Sequence, residues 1–158
     1  MAITAIHPYL NFNGNCEEAF AHYAKVLGAT NTGVFRYGDA PPEPGDGSNS
    51  SPEDCGPLPP DFGDKVMNTT LVLGDLLLMG SDCPPAMWQA QGANYTVSIQ
   101  CSDEAEAERL FAALMEGESK VMMPMGETFW AKRFGMGTDR FGTPWMVNCS
   151  RDGGSTTS

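Results

Sequence analysis

One pattern occurs twice in this chain and limits what it can fold into. At Asn15 a cap residue opens a helix, with Glu18 three positions on in capping-box spacing. Cys16, Phe20, Tyr23, Ala24 and Leu27 then recur every three or four residues as one apolar stripe, and Gly28 stops the helix. About 88 residues later Asp103 and Glu106 repeat the cap, Ala107, Leu110, Phe111 and Leu114 repeat the stripe, and Gly117 repeats the stop. Around each helix lie strand-like segments. In the first half these are Ile3–Phe12, Thr30–Tyr37, Lys65–Leu73 and Leu76–Ser81, the last two joined at Gly74-Asp75. In the second they are Tyr95–Cys101, Lys120–Met125, Phe129–Met136 and Thr143–Cys149, with a tight turn at Asp139-Arg-Phe-Gly142 before the last. The order is β-α-β-β-β, twice, in the α+β class. Neither half has core enough to stand alone comfortably, so the two are expected to pack together as one domain over residues 1–150. The first module spans about 1–85 and the second about 92–150, with a flexible tail at 151–158.

Composition excludes several classes of partner. The 158 residues carry a formal charge of −11, which argues against nucleic acid and anionic membranes, whose binders need basic surface. No apolar run approaches the ~20 residues of a membrane span. The N-terminal residues lack the basic and apolar regions of a secretory signal. Five cysteines, an odd number with no CxxC pair, fit a reduced, cytoplasmic protein. Residues 38–64 hold seven of the twelve prolines, seven acids and no Lys or Arg. Such a segment reads as a long loop, either a lid over a site or a surface insertion.

Three blocks carry a family likeness: Pro8-Tyr-Leu-Asn-Phe-Asn-Gly-Asn-Cys-Glu-Glu-Ala-Phe20, Leu78-Met-Gly-Ser-Asp82 and Glu127-Thr-Phe-Trp-Ala-Lys-Arg-Phe-Gly135. With Asp139-x-Phe-Gly-x-Pro-Trp-Met146 they resemble the vicinal oxygen chelate superfamily of glyoxalase I, extradiol dioxygenases and bleomycin- and fosfomycin-resistance proteins, and within it the PhnB-like (YjdN-like) branch. The resemblance implies paired βαβββ modules forming a U-shaped, eight-stranded sheet around a cavity, with a helix outside each module. It also implies a homodimer. Metal enzymes of this superfamily place one ligand on the first and one on the last strand of each unit. The matching positions here are His7, Leu78 or Met79, Asn94 and Met146, and no carboxylate is expected within the fourth strand. One plausible ligand in four does not make a metal site, since a thioether is a poor ligand for a hard divalent ion. No metal and no cofactor are therefore expected, and no glycine-rich turn supports nucleotide or S-adenosylmethionine binding.

Strand alternation puts His7, Tyr9 and Asn11 on one face, and Asn94, Thr96 and Ser98 on another such face. Trp145, Val147 and Cys149 are expected under the second helix, leaving Met146 toward the cavity. His22 reads as a surface residue. Cys16 lies where a helix dipole would lower its pKa, and Cys101 and Cys149 end neighbouring strands; packing explains all three as well. Glu127 is either an acid or base with a raised pKa beside aromatic surface or half of a structural Glu–Arg pair. Arg133 could hold an anionic group, and the methionines with Trp130 and Tyr9 could line an apolar pocket. Two functional classes follow. One is a metal-free protein that binds a small organic ligand, apolar or aromatic and possibly anionic, through Tyr9, Asn94, Thr96, Trp130, Arg133 and Met146. The other is an enzyme, either a metal-dependent lyase, isomerase or dioxygenase or a metal-free one with Glu127 or His7 as the base.

Overall fold

The computed structural model describes residues 2–41, 58–90 and 94–151. The chain divides into two compact units, Met1–Ala90 and Gln91–Ser158, each built as β-α-β-β-β. Most of the loop expected at 38–64, residues 42–57, lies outside the described residues, and so do 152–158 of the tail.

In the first unit the strands are β1 (Tyr9–Phe12), β2 (Thr30–Arg36), β3 (Val66–Leu73) and β4 (Leu76–Asp82), with helix α1 (Cys16–Leu27). They form one sheet in the order β1-β4-β3-β2, with β1 parallel to β4 and the other pairs antiparallel. Gly74-Asp75 makes the two-residue turn between β3 and β4, where Leu73 and Leu76 face each other. Helix α1 packs on β2, β3 and β4. Leu10, Phe12, Leu71, Leu78 and Thr69 are buried on that side, beneath Cys16, Ala19, Phe20, Tyr23 and Val26. Gly80 is required there: a Cβ on it would lie 2.5 Å from the Phe20 ring and 3.0 Å from the Leu10 carbonyl oxygen.

The second unit repeats the plan with β5 (Val97–Cys101), α2 (Glu104–Leu114), β6 (Lys120–Gly126), β7 (Ala131–Thr138) and β8 (Pro144–Ser150), in sheet order β5-β8-β7-β6. Helix α2 covers β5, β7 and β8. Trp145, Val147 and Cys149 are buried on that side with Ala107, Leu110, Phe111 and Leu114, as the periodicity predicts. Gly135 lies beneath Phe111 as Gly80 lies beneath Phe20: its Cβ would come within 3.1 Å of the Phe111 ring and 2.6 Å of Met125 Sδ. The Asp139–Gly142 turn closes with a Gly142 N–H to Asp139 carbonyl bond of 3.0 Å.

Several expectations need correction. The first strand is Tyr9–Phe12 rather than Ile3–Phe12, and Ile3 and Ile6 are exposed at 71% and 89%. Pro8 has no N–H for the ladder, though its carbonyl still accepts from Met79 N–H at 3.2 Å. Tyr37 leaves β2 for a 3-10 turn, Tyr37–Asp39, and the strand expected from Phe129 starts at Ala131. The α1 stripe is rotated slightly: Ala19 and Val26 are buried, whereas Ala24 and Leu27 are only half-buried. His22 is half-buried against Tyr23, with ring centroids 6.2 Å apart, rather than solvated. Helix α2 ends at Leu114, with Met115 as its C-cap, before reaching Gly117. Arg151, expected in the frayed tail, donates from Nε to the Thr128 carbonyl at 3.0 Å.

The caps differ most from expectation. Asp103 accepts from Glu106 N–H at 2.9 Å and caps α2. Asn15 makes no side-chain cap. Its place is taken by Asp82, the last residue of β4, so a carboxylate does lie within the fourth strand. Asp82 Oδ1 accepts from Cys16 N–H and Oδ2 from Val66 N–H, each at 2.9 Å, while its backbone carbonyl accepts from the Tyr37 hydroxyl at 2.9 Å. With 1% exposure the carboxylate has no water to replace these donors. Asp82→Ala would strand two buried N–H groups, one of them at a helix start. It should lower stability by about 2–4 kcal/mol, read as a lower urea midpoint; a loss under about 0.5 kcal/mol would contradict this role.

Candidate functional site

Within each unit the helix covers one sheet face and leaves the other free of it. In the second unit the register defines that helix-free face. Ser98, Gln100, Met146, Asn148 and Ser150 alternate with the residues on the α2 side, which are half-buried on β5 and buried on β8. Phe134 stands opposite Asn148, and Met136 opposite Met146 and Met123. Antiparallel partners share a face, so three methionines form one row across β6, β7 and β8.

The face has a polar side and an apolar side. On the polar side Asn148 Nδ2 donates to Gln100 Oε1 at 2.7 Å and to Ser150 Oγ at 3.1 Å, and Gln100 Nε2 donates to Ser98 Oγ at 3.0 Å. On the apolar side Trp130 meets Phe134 edge-on, with centroids 5.3 Å apart, and Phe129 meets Trp130 at 4.7 Å. Trp130 is 44% exposed, while Phe134 beneath it is 7% exposed. Aromatic edge-to-face pairs of this kind offer flat apolar surface.

The expected site residues divide. Met146 and Trp130 lie with this face. Thr96 and Asn94 precede β5, Thr96 half-buried and Asn94 exposed in a turn. In the first unit Tyr9 (43% exposed) and Asn11 share the face opposite Leu10 and Phe12, paired with Met79 and Ser81. His7 lies two residues before β1 and is half-buried.

Arg133 does not join them. It stands opposite Cys149 on the α2 side, where its Nε lies 2.8 Å from Glu108 and its Nη1 3.5 Å from Glu104. The guanidinium expected to hold an anion is thus committed to two helix carboxylates. Glu127 pairs with Arg151, whose hydrogen bond holds its carboxyl below the ordinary carboxylate range. The raised pKa that an acid or base would need is reversed, and the structural Glu–Arg pair exists, with Arg151 as its arginine.

The thiols are packed. Cys16 is buried, and burial, then the Asp82 and Glu17 carboxylates, push its thiol up rather than down. Cys101 and Cys149 are register partners on the α2 side, and burial likewise raises the Cys101 thiol. The four described cysteines are all free. Among the described residues, no three His, Cys, Asp or Glu side chains gather as a metal site would need. The expected ligand positions offer one imidazole at His7, thioethers at Met79 and Met146, and the amide of Asn94. That donor set does not fit a hard divalent ion.

The comparisons agree with this architecture. The profile of the Glyoxalase/Bleomycin resistance protein/Dioxygenase superfamily matches residues 5–147. The chain belongs to that superfamily. It is similar to protein YjdN of Escherichia coli, 34% identical over 143 residues that cover 90% of this chain and 93% of that protein. Protein PA1353 from Pseudomonas aeruginosa has the same fold at 46% identity and a TM-score of 0.76, covering 95% of this chain and all of that one. A PhnB protein from Bacillus cereus superposes with a TM-score of 0.69 at 21% identity, over 93% of this chain and all of its own. The PhnB/YjdN-like branch recognised in the sequence is therefore the right one. Among the described residues, no helix is long and apolar enough to cross a membrane.

The residues missed by sequence reading are Phe134, Gln100 and Asn148. Alternation alone could have found Asn148, which shares its face with Met146.

The Glu127–Arg151 pair gives a direct check. A carbon-13 titration of Glu127 should show a midpoint below the ~4.3 of a free glutamate, rising toward it in Arg151→Ala. Whatever stability the pair adds is present above the ordinary carboxylate range and lost as pH falls through the lowered pKa. A midpoint above the free value would restore Glu127 as a candidate acid.

Proposed function

We propose that this protein binds a small apolar or aromatic organic molecule on the helix-free face of its second sheet, without a metal. The observation that carries this reading is the half-exposed Trp130, stacked edge-on against Phe134 beside the Met136–Met146 row. Flat aromatic surface beside unbranched thioether side chains accommodates ligands of varied shape. We place its action in the cytoplasm as a homodimer, the former supported by the free cysteines and the latter by family likeness alone.

The competing reading is a metal-dependent lyase, isomerase or dioxygenase. It rests on His7 and the superfamily, and the thioethers at the matching strand positions count against it. A metal-free enzyme using Glu127 is weakened by the Arg151 pair.

The neutral fluorophore 2-naphthol separates these readings. Its affinity should be unchanged by a chelator and by His7→Ala, and should fall about tenfold in Trp130→Ala. Affinity that appears only after adding a divalent metal, and disappears in His7→Ala, would overturn the proposal.

A further inference from the structure

Asn148 has four hydrogen-bonding positions, two donor and two acceptor, and the protein fills only the two donors. Both Nδ2 hydrogens are used, one on Gln100 and one on Ser150. Oδ1 is enclosed and has no hydrogen-bond partner among the described residues. An enclosed acceptor without a donor has lost its water and gained nothing for it, so native proteins rarely leave one unfilled. Asn148 is also the residue from which the polar side of the face is organised, since Gln100 orients it and Ser98 orients Gln100. The neighbours that can give way are flexible: Met146 two residues along β8, and Met136 opposite Met146.

We propose that the ligand of this face is neutral and carries a hydrogen-bond donor, a hydroxyl or an amide N–H, that is accepted by Asn148 Oδ1 while its apolar body rests on Trp130, Phe134 and the methionines. This rests on the proposed function above and narrows it. Neutrality follows from the company Oδ1 keeps. Ser98, Gln100, Ser150, Met136 and Met146 carry no charge, and Arg133 is held at the other face by Glu104 and Glu108. An ion brought here would lose its hydration without a counter-charge. The anionic ligand that Arg133 suggested is therefore replaced by a neutral one.

The donor assignment depends on which way the amide points. If the oxygen and nitrogen of Asn148 and Gln100 both exchanged places, the bonds to each other, to Ser150 and to Ser98 would survive, and a nitrogen would be left wanting an acceptor. The probe pair therefore differs in the donor alone: 2-naphthol, and 2-methoxynaphthalene, which can only accept. The affinity ratio of 2-naphthol to 2-methoxynaphthalene should fall about five- to tenfold from wild type to Asn148→Leu, the loss of one hydrogen bond to an enclosed acceptor. Asn148→Asp, which keeps an acceptor oxygen, should retain the preference, and wild type should bind 2-naphthoate more weakly than 2-naphthol.

A ratio unchanged in Asn148→Leu would overturn the inference, as would a ratio that rises, which would mark the exchanged amide. If Asn148→Leu fails to fold, loss of the preference in Asn148→Asp, or a wild type that favours 2-naphthoate, would overturn it equally. If neither naphthalene binds wild type, the proposed function falls with it. If both bind without regard to the donor, only this inference fails.

Discussion

The buried carboxylate of Asp82 is the interaction on which the first unit depends. It stands at the end of β4 and takes one N–H from the start of α1 and one from the start of β3. Helix α1 is thereby fixed to the β3–β4 hairpin at one point, with Tyr37 closing on the same residue's carbonyl. The second unit has its own device at another place. Asp139 accepts from Phe141 and Thr143 N–H at 2.9 Å and from Trp145 Nε1 at 2.8 Å, so one carboxylate holds the turn into β8 and the tryptophan beneath α2. Buried polar groups that are fully used in this way specify a unique arrangement as well as stabilising it.

The helices then decide which face of each sheet stays open. Each sits on one sheet face so closely that the strands beneath give up side chains at Gly80 and Gly135. That face is a packed interior and cannot accept a guest without strain. The other face is populated by the alternate residues of the same strands. In the second unit the residues around Asn148 are amides, hydroxyls, thioethers and aromatic rings, and Lys120 stands at the far edge on β6, opposite Thr138. The chemistry of the face follows from strand alternation once α2 has claimed Trp145, Val147 and Cys149.

Much of the fold was legible because its signals are local. The stripes of α2 and β8, the Gly74-Asp75 turn and the Asp103 cap depend on residues a few positions apart, and each was read where it stands. What was misread depends on partners far along the chain. Asn15 has the right chemistry for a cap, yet Asp82, 66 residues from Cys16, supplies it. Arg133 and Glu127 looked like a site because they share a short segment with Trp130. One-residue alternation sends Arg133 to Glu104 and Glu108, and Glu127 finds Arg151 beyond the last strand. Ile3–His7 carry strand-like alternation, but a strand exists only where a neighbour pairs with it. Family likeness was legible in the motif blocks, and the unfilled acceptor of Asn148 was not, because it depends on how neighbours on β5 and β8 are satisfied.

The most direct test of this account is a methionine-methyl NMR titration of chelator-treated protein with 2-naphthol. Saturable shifts of the Met136 and Met146 methyl signals are expected, with the exposed Met87 unmoved. Unmoved Met136 and Met146 signals, or shifts that appear only when a divalent metal is restored, would contradict it.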